Sequence, residues 1–312
     1  MTTRDIRTVE KTIYFYYVSA MHKYRDADGN SIVVSSNVID ALNKVVELDF
    51  SDDDEKTAVF KYNSSFIAMK IDETGSNFYA GQIASVRASE FPKGLREGKL
   101  VNLNFTGIRL YEPAHFVYFT DSNILVMEYN HHAPRHAGFA AYVEKLSKKF
   151  GFPSNVVNVS YDIGRDTVTR FLESSGKVTS VKLKVPVHGY ETKPVGGLMS
   201  MLQGALSNAD KDRMIDISLE IKFGVSEVAA AERTEAEINS QNRQEVIDLF
   251  RGSGFDFQQF AVQMSGSPNF DFVSDKIKSD VTVELTDLKH VDTKSIYQEM
   301  KAVYTARYTD SE

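Results

Sequence analysis

Between Thr12 and Ala20 the chain reads TIYFYYVSA, a run of aromatic and β-branched side chains whose composition is that of a buried strand. Its densest apolar part, Ile13 to Val18, is far shorter than the roughly 18 consecutive apolar residues that span a bilayer. It is followed almost at once by His22, Lys23 and Arg25. No longer apolar stretch occurs elsewhere, so direct membrane insertion is not expected. The same strand style recurs at Ala58–Asn63, Phe66–Ile71 and Phe78–Val86. A meander follows over Lys99–Leu110, Ala114–Thr120 and Asn123–Tyr129, with turn signals at Glu112-Pro113 and Asp121-Ser122-Asn123.

Helical spacing interrupts these strands. Val38, Ile39, Leu42, Val45 and Val46 form one apolar stripe that Ser36 or Asn37 can cap. From Gly138 to Phe150, Phe139, Tyr142, Val143, Leu146 and Phe150 line one face, and lysines occupy the opposite face and the last turn. Lysines there complement the helix dipole, and Gly151 and Pro153 end the helix. The second half reads as strands at Val156–Ile163 and Val178–Val187, a helix at Leu198–Leu206, and a cleanly alternating strand at Met214–Phe223. A helix at Ala236–Phe250, strands at Phe255–Met264 and Ser279–Leu285, and a closing helix at Ser295–Tyr308 complete it. The fold class expected is α+β, with strand-rich mixed sheets and several amphipathic helices in two lobes. The boundary falls near Gly151–Asn155, giving lobes 1–152 and 153–312.

Cysteine is absent. That excludes disulfides, thiolate zinc sites, iron–sulfur clusters and a cysteine nucleophile, and it suits a reducing cytoplasm. The opening MTTRDIRTVEKT mixes charges of both signs without an apolar core, so it does not read as a secretory signal. A cytoplasmic protein is expected.

Catalytic patterns are few. Asp216 with Glu220-x-Lys222 resembles the acidic and Glu-x-Lys sets by which metal-dependent nucleases hold Mg²⁺. However, period-2 alternation places Asp216, Ser218, Glu220 and Lys222 together on the polar face of a half-buried strand. His131, His132 and His136 lie in YNHHAPRHAG, where Pro134 breaks regularity, and a surface loop suits them better than a zinc site. Arg135 and His136 precede a helix N-terminus, where free N–H groups attract anions. Gly196-Gly197 opens a helix, but neither G-x-x-x-x-G-K-[ST] nor G-x-G-x-x-G is present, and no G-x-S-x-G elbow occurs. No cofactor and no metal is expected, and no catalytic residue is assigned.

Charge is more informative. The chain carries a net −7, yet Phe91–Lys222 holds 17 Lys/Arg against 13 Asp/Glu, leaving 19 and 30 for the two flanks. A basic middle inside an acidic chain could form one positive face. The candidate nucleic-acid-binding residues are Lys93, Arg96 and Lys99 in FPKGLREGKL, Arg135, Lys145, Lys148 and Lys149, and Lys177, Lys182 and Lys184 in KVTSVKLK. Clustered positive charge is all that sequence-independent phosphate binding requires. Solvated surface produces the same pattern, so the residues alone leave both readings open.

Three segments carry a resemblance. VKLKVPVHGYETKPVGGLMSMLQGA (181–205), MIDISLEIKF (214–223) and SIYQEMKAVYTARY (295–308) resemble a strand, Pro-Val-x-Gly turn and small-residue helix, a following strand, and a closing helix. In this order they are similar to those of the RexA-like phage-exclusion proteins of lambdoid prophages and, more distantly, of the RdgC-like DNA-binding proteins. The resemblance covers the C-terminal half; the N-terminal strands match in pattern. It implies a homodimer that binds DNA without sequence specificity, senses phage infection and signals to a membrane-protein partner. The readings to compare are therefore a non-catalytic DNA-binding phage-exclusion protein, a Mg²⁺-dependent nuclease using Asp216, Glu220 and Lys222, and a protein-binding regulator.

Overall fold

The computed structural model describes residues 7–26, 28–51, 56–62, 65–87, 94–96, 99–101, 109–163, 165–186, 198–207, 216–224, 234–252 and 257–308. The fold is α+β, in agreement with the sequence pattern. Among the described residues no helix is long and apolar enough to cross a membrane.

The chain divides into two compact units, 1–157 with 278–312 and 158–277. The crossing lies close to the boundary read at Gly151–Asn155. The last strand and helix, assigned from sequence to the C-terminal lobe, belong to the first unit.

The first unit contains β1 (Thr8–Arg25), β2 (Ser31–Ser36), α1 (Ile39–Glu47), β3 (Val59–Tyr62), β4 (Ser65–Thr74) and β5 (Phe78–Arg87). The short ribbon β6 (Gly94–Arg96) and β7 (Lys99–Val101) comes next, then β8 (Leu110–Phe119), β9 (Ile124–Glu128) and α2 (His136–Phe150). The chain leaves through β10 (Val156–Tyr161) and returns as β15 (Lys278–Glu284) and α6 (Thr293–Tyr308). One sheet runs β10-β1-β9-β8-β5-β4-β3, and β2 and β15 also pair with β1. The length of β1 makes this possible. Thr8–Tyr14 pairs β15, Ile13–Tyr17 pairs β9, and Ala20–Arg25 pairs β2.

Residues directly opposite across paired strands share a face, so register sorts the core. Phe60, Tyr79, Phe116 and Tyr16 meet α1 and α2. Phe60 stands edge-on to Tyr142, Phe116 edge-on to Phe139, Tyr16 stacks on His136, and the Tyr79 hydroxyl donates to Asn43 Oδ1 at 2.7 Å. The opposite face takes α6: Phe119 stacks on Tyr304 at 3.5 Å, and Phe15 lies against Tyr308. The N-cap residue of α1 is Val38, without a side-chain cap, so neither Ser36 nor Asn37 caps the helix as expected; Asn37 Oδ1 instead accepts the Ile39 N–H at 2.9 Å in a turn just before it.

Glu112-Pro113 is not a turn. Both residues lie within β8, Pro113 opposite Ala84. Pairing with β9 begins only at Phe116, so the proline sits where the ladder runs along one side of the strand, a position that tolerates its missing N–H. The other expected turn, Asp121-Ser122-Asn123, is present, with Asn123 at φ 56.

A bulge between Ile71 and Glu73 brings β4 close to β5, and a Cβ at Gly81 would press into the Lys70 carbonyl. Gly81→Ala is therefore expected to lower stability by about 2 kcal/mol, read as a drop in urea midpoint at unchanged slope. An unchanged midpoint would contradict the close approach.

The second unit holds α3 (Arg165–Glu173), β11 (Lys177–Pro186), α4 (Leu198–Ser207), β12 (Asp216–Lys222), α5 (Glu235–Gly252), β13 (Gln259–Ser265) and β14 (Phe270–Asp271). Its sheet runs β12-β11-β13-β14. Phe171, Phe250, Phe257, Phe260 and Phe272 are buried against one another and form the centre of its core.

Candidate nucleic-acid interface

The C-terminal half of α2 presents three lysines at helical spacings i, i+3 and i+4, which places them side by side. The helix is pinned from below. Phe139, Tyr142, Val143 and Leu146 are fully buried, Glu144 Oε1 accepts the Val157 N–H at 2.7 Å, and the Ser147 and Ser154 hydroxyls pair at 2.8 Å. Gly151, at φ 75, closes the helix by donating its N–H to the Ser147 carbonyl. With those sides committed, Lys148 and Lys149 are exposed and Lys145 is half-buried.

These lysines lie among aromatic rings of β3 and α2 and one further lysine from α1. Lys145 Nζ donates to the Lys61 carbonyl at 2.6 Å and stands 5.7 Å from the Tyr62 ring. Lys149 stands 5.2 Å from Phe60 and 5.3 Å from Phe150. Lys44, on α1, is 4.9 Å from Phe150 and also pairs with Glu47 at 2.8 Å. Three ammonium groups, those of Lys44, Lys145 and Lys149, thus stand around Phe60, Tyr62 and Phe150, with Lys148 exposed on the same helix. Lys61 contributes its carbonyl, and its side chain alternates to the other face of β3. Lys44 was not among the sequence candidates, because it lies in the acidic N-terminal flank. Only the packing of α1 and β3 around α2 reveals it.

The remaining candidates are placed differently. Lys93 lies outside the described residues, as do Gly196 and Gly197. Arg96 and Lys99 occupy directly opposed positions of the β6–β7 ribbon. Arg135 is the N-cap residue of α2, but its guanidinium lies over the Tyr129 ring and donates to the Tyr129 hydroxyl at 3.1 Å. His136 is fully buried against Tyr16, so it is a core residue and does not reach out to a phosphate. His131 and His132 stay in an exposed loop. Among the described residues no group of His, Asp and Glu is arranged to hold a metal ion.

Lys177, Lys182 and Lys184 belong to β11 in the second unit. Register places Lys182 opposite Glu220, 3.9 Å away, and Lys184 reaches Asp216 at 2.9 Å. Lys182 and Lys184 do share a face, as the alternation predicts, and the same face carries the carboxylates that offset them. This also bears on the nuclease pattern, since the carboxylates of Asp216 and Glu220 are engaged with lysines. Each pair is half-exposed, so its contribution to stability is small. Its effect on the local field is larger.

A polar row, buried at Glu128, His115 and Tyr297 and exposed at Asp72 and Lys70, crosses the sheet face under α6. Glu128, its side chain 2% exposed, takes Lys11 Nζ on Oε1 and His115 Nδ1 on Oε2, both at 2.7 Å. The His115 N–H also donates to Oε2 at 3.2 Å. Beyond His115, the Tyr297 hydroxyl and Gln82 Nε2 donate to Asp72 Oδ2 at 2.8 and 3.0 Å, and Lys70 pairs with Oδ1. Burial works to raise the Glu128 pKa, but its His115 and Lys11 partners outweigh it and hold the carboxyl below its ordinary 4.5. Burial, followed by the Asp72 charge, pushes the Tyr111 and Tyr297 phenols far above the usual range, which keeps Tyr297 a donor. Lys11, His115, Glu128, Asp72, Gln82 and Tyr297 satisfy one another, so the row serves to fix α6; the buried Tyr111 hydroxyl finds no hydrogen-bond partner among the described residues.

No protein-family model matches the sequence, and no curated protein does.

Proposed function

We propose that this chain is a non-catalytic, cytoplasmic antiphage protein of the phage-exclusion type, which binds DNA without sequence specificity as a homodimer and signals to a partner such as a membrane protein. The observation that carries the DNA-binding part is the gathering of Lys44, Lys145 and Lys149 around Phe60, Tyr62 and Phe150, beside the exposed Lys148. Phosphate backbones need no more than clustered cations held on a rigid element, and α2 is anchored on two sides. The resemblance of 181–205, 214–223 and 295–308 to RexA-like proteins supports the biological setting, the dimer and the partner.

The test is a fluorescence-anisotropy titration of a labelled duplex at about 50 mM salt, where electrostatic binding is strong. Saturable binding that weakens steeply with added salt is the expected result, and no binding at that salt would remove the proposal. The nuclease reading is addressed separately. Plasmid incubated with Mg²⁺ is expected to remain intact with the wild type and with the Glu220→Ala/Lys222→Ala double variant alike. Cutting by the wild type alone, abolished by EDTA, would reverse the assignment.

A further inference from the structure

Resting on the DNA-binding reading above, the geometry points to a narrower ligand: we infer that the α1–α2–β3 face takes single-stranded nucleic acid, with bases stacking on Phe60, Tyr62 and Phe150. Lysines alone would serve a duplex as well as a single strand. The arrangement here interleaves charge with rings. Each of the three rings is half-buried and carries an ammonium group 4.9 to 5.7 Å from its centroid. In a duplex the base faces are stacked on one another, so aromatic rings in the protein gain nothing from them. A single strand offers both partners at once, phosphates for the lysines and unstacked faces for the rings.

The rings are held in place for this task. Phe60 is fixed edge-on by Tyr142, itself fully buried with its hydroxyl donating to the Ala58 carbonyl at 3.0 Å. Phe150 is the last residue of α2 and lies near Phe152, at 6.2 Å between centroids. The lysines over the rings are half-exposed or exposed, and Lys145, which gives one of its three donors to the Lys61 carbonyl, keeps others for a phosphate. Stacking tolerates any base, which suits sequence-nonspecific binding.

The experiment uses the full chain and three labelled probes of about 15 nucleotides, a length in the range of one single-strand site: oligo(dT), an abasic strand of equal length, and a duplex. The expected result is that oligo(dT) binds at least about tenfold more tightly than the abasic strand. Tyr62→Ala and Phe150→Leu are expected to shrink that ratio while leaving abasic-strand affinity unchanged, with urea unfolding confirming that each variant is folded. Reversing Lys148 by Lys148→Glu keeps the rings intact and is expected to weaken all three probes together. Equal affinity for oligo(dT) and the abasic strand, or clear preference for the duplex, overturns the single-strand assignment and leaves DNA binding standing. Failure of all three probes to bind overturns both.

Discussion

Glu128→Ala is expected to lower the unfolding free energy by about 3 kcal/mol, the largest stability effect of any single change considered for this chain. The carboxylate is the meeting point of Lys11 and His115 from neighbouring strands. Removing it leaves a partly buried lysine and a buried imidazole without their acceptor, and the backbone N–H of His115 loses one as well. Glu128→Gln keeps an acceptor for that N–H and is expected to cost less. Urea denaturation at neutral pH measures both. The pH dependence follows from the sign of the shift. A carboxyl whose folded pKa lies below its unfolded value contributes fully above about pH 4.5, and the contribution is lost as pH falls through the folded value. The wild-type and Glu128→Ala stability curves are therefore expected to lie farthest apart near neutrality and to converge in acid. A gap that stays constant down to pH 3 would show that the ion cluster is not the source of the difference.

The largest effect on binding is expected from Lys145→Glu/Lys148→Glu/Lys149→Glu, which should reduce DNA affinity about a hundredfold at moderate salt. Three charges are inverted on one helix face. Lys148 and Lys149 are exposed and Lys145 is half-exposed, so replacing them opens no large cavity in the core. One cost is local. Lysines in the last turn offset the negative end of the helix dipole, so about 1 kcal/mol of stability is expected to go with them. Thermal unfolding separates that loss from the binding defect. Lys182→Glu/Lys184→Glu is the matched control. Those lysines are already offset by Glu220 and Asp216, and DNA affinity is expected to change by less than about threefold, as for rim charges outside the contact.

Much of the architecture was legible because it rests on local pattern. The alternation in MIDISLEIKF and the stripe Phe139, Tyr142, Val143, Leu146 and Phe150 each predict an element that the structure contains. The proposed binding face is only half legible. Charge along the chain singles out Lys145, Lys148 and Lys149, whereas Lys44 falls in an acidic flank. α1 and β3 reach α2 by tertiary packing, over about a hundred residues of separation, which no window along the sequence detects. The pairing of Lys182 and Lys184 with carboxylates is hidden in the same way, since it depends on the register between β11 and β12. The buried cluster leaves a trace in the sequence. In ILVME, Glu128 is in phase with Ile124 and Val126, which are buried on the inner face. A charged residue in phase with an apolar face needs partners there.

The central claim is that the lysine face of the first unit, and not β11, holds nucleic acid. It is tested most directly by the slope of log affinity against log salt for the wild type and the two multiple variants. Each lysine lost from a phosphate contact should flatten that slope by about 0.7 to 0.9. The account predicts that Lys145→Glu/Lys148→Glu/Lys149→Glu flattens it by at least about 2, while Lys182→Glu/Lys184→Glu leaves it at the wild-type value. Flattening by the β11 variant with an unchanged slope for the α2 variant would contradict it.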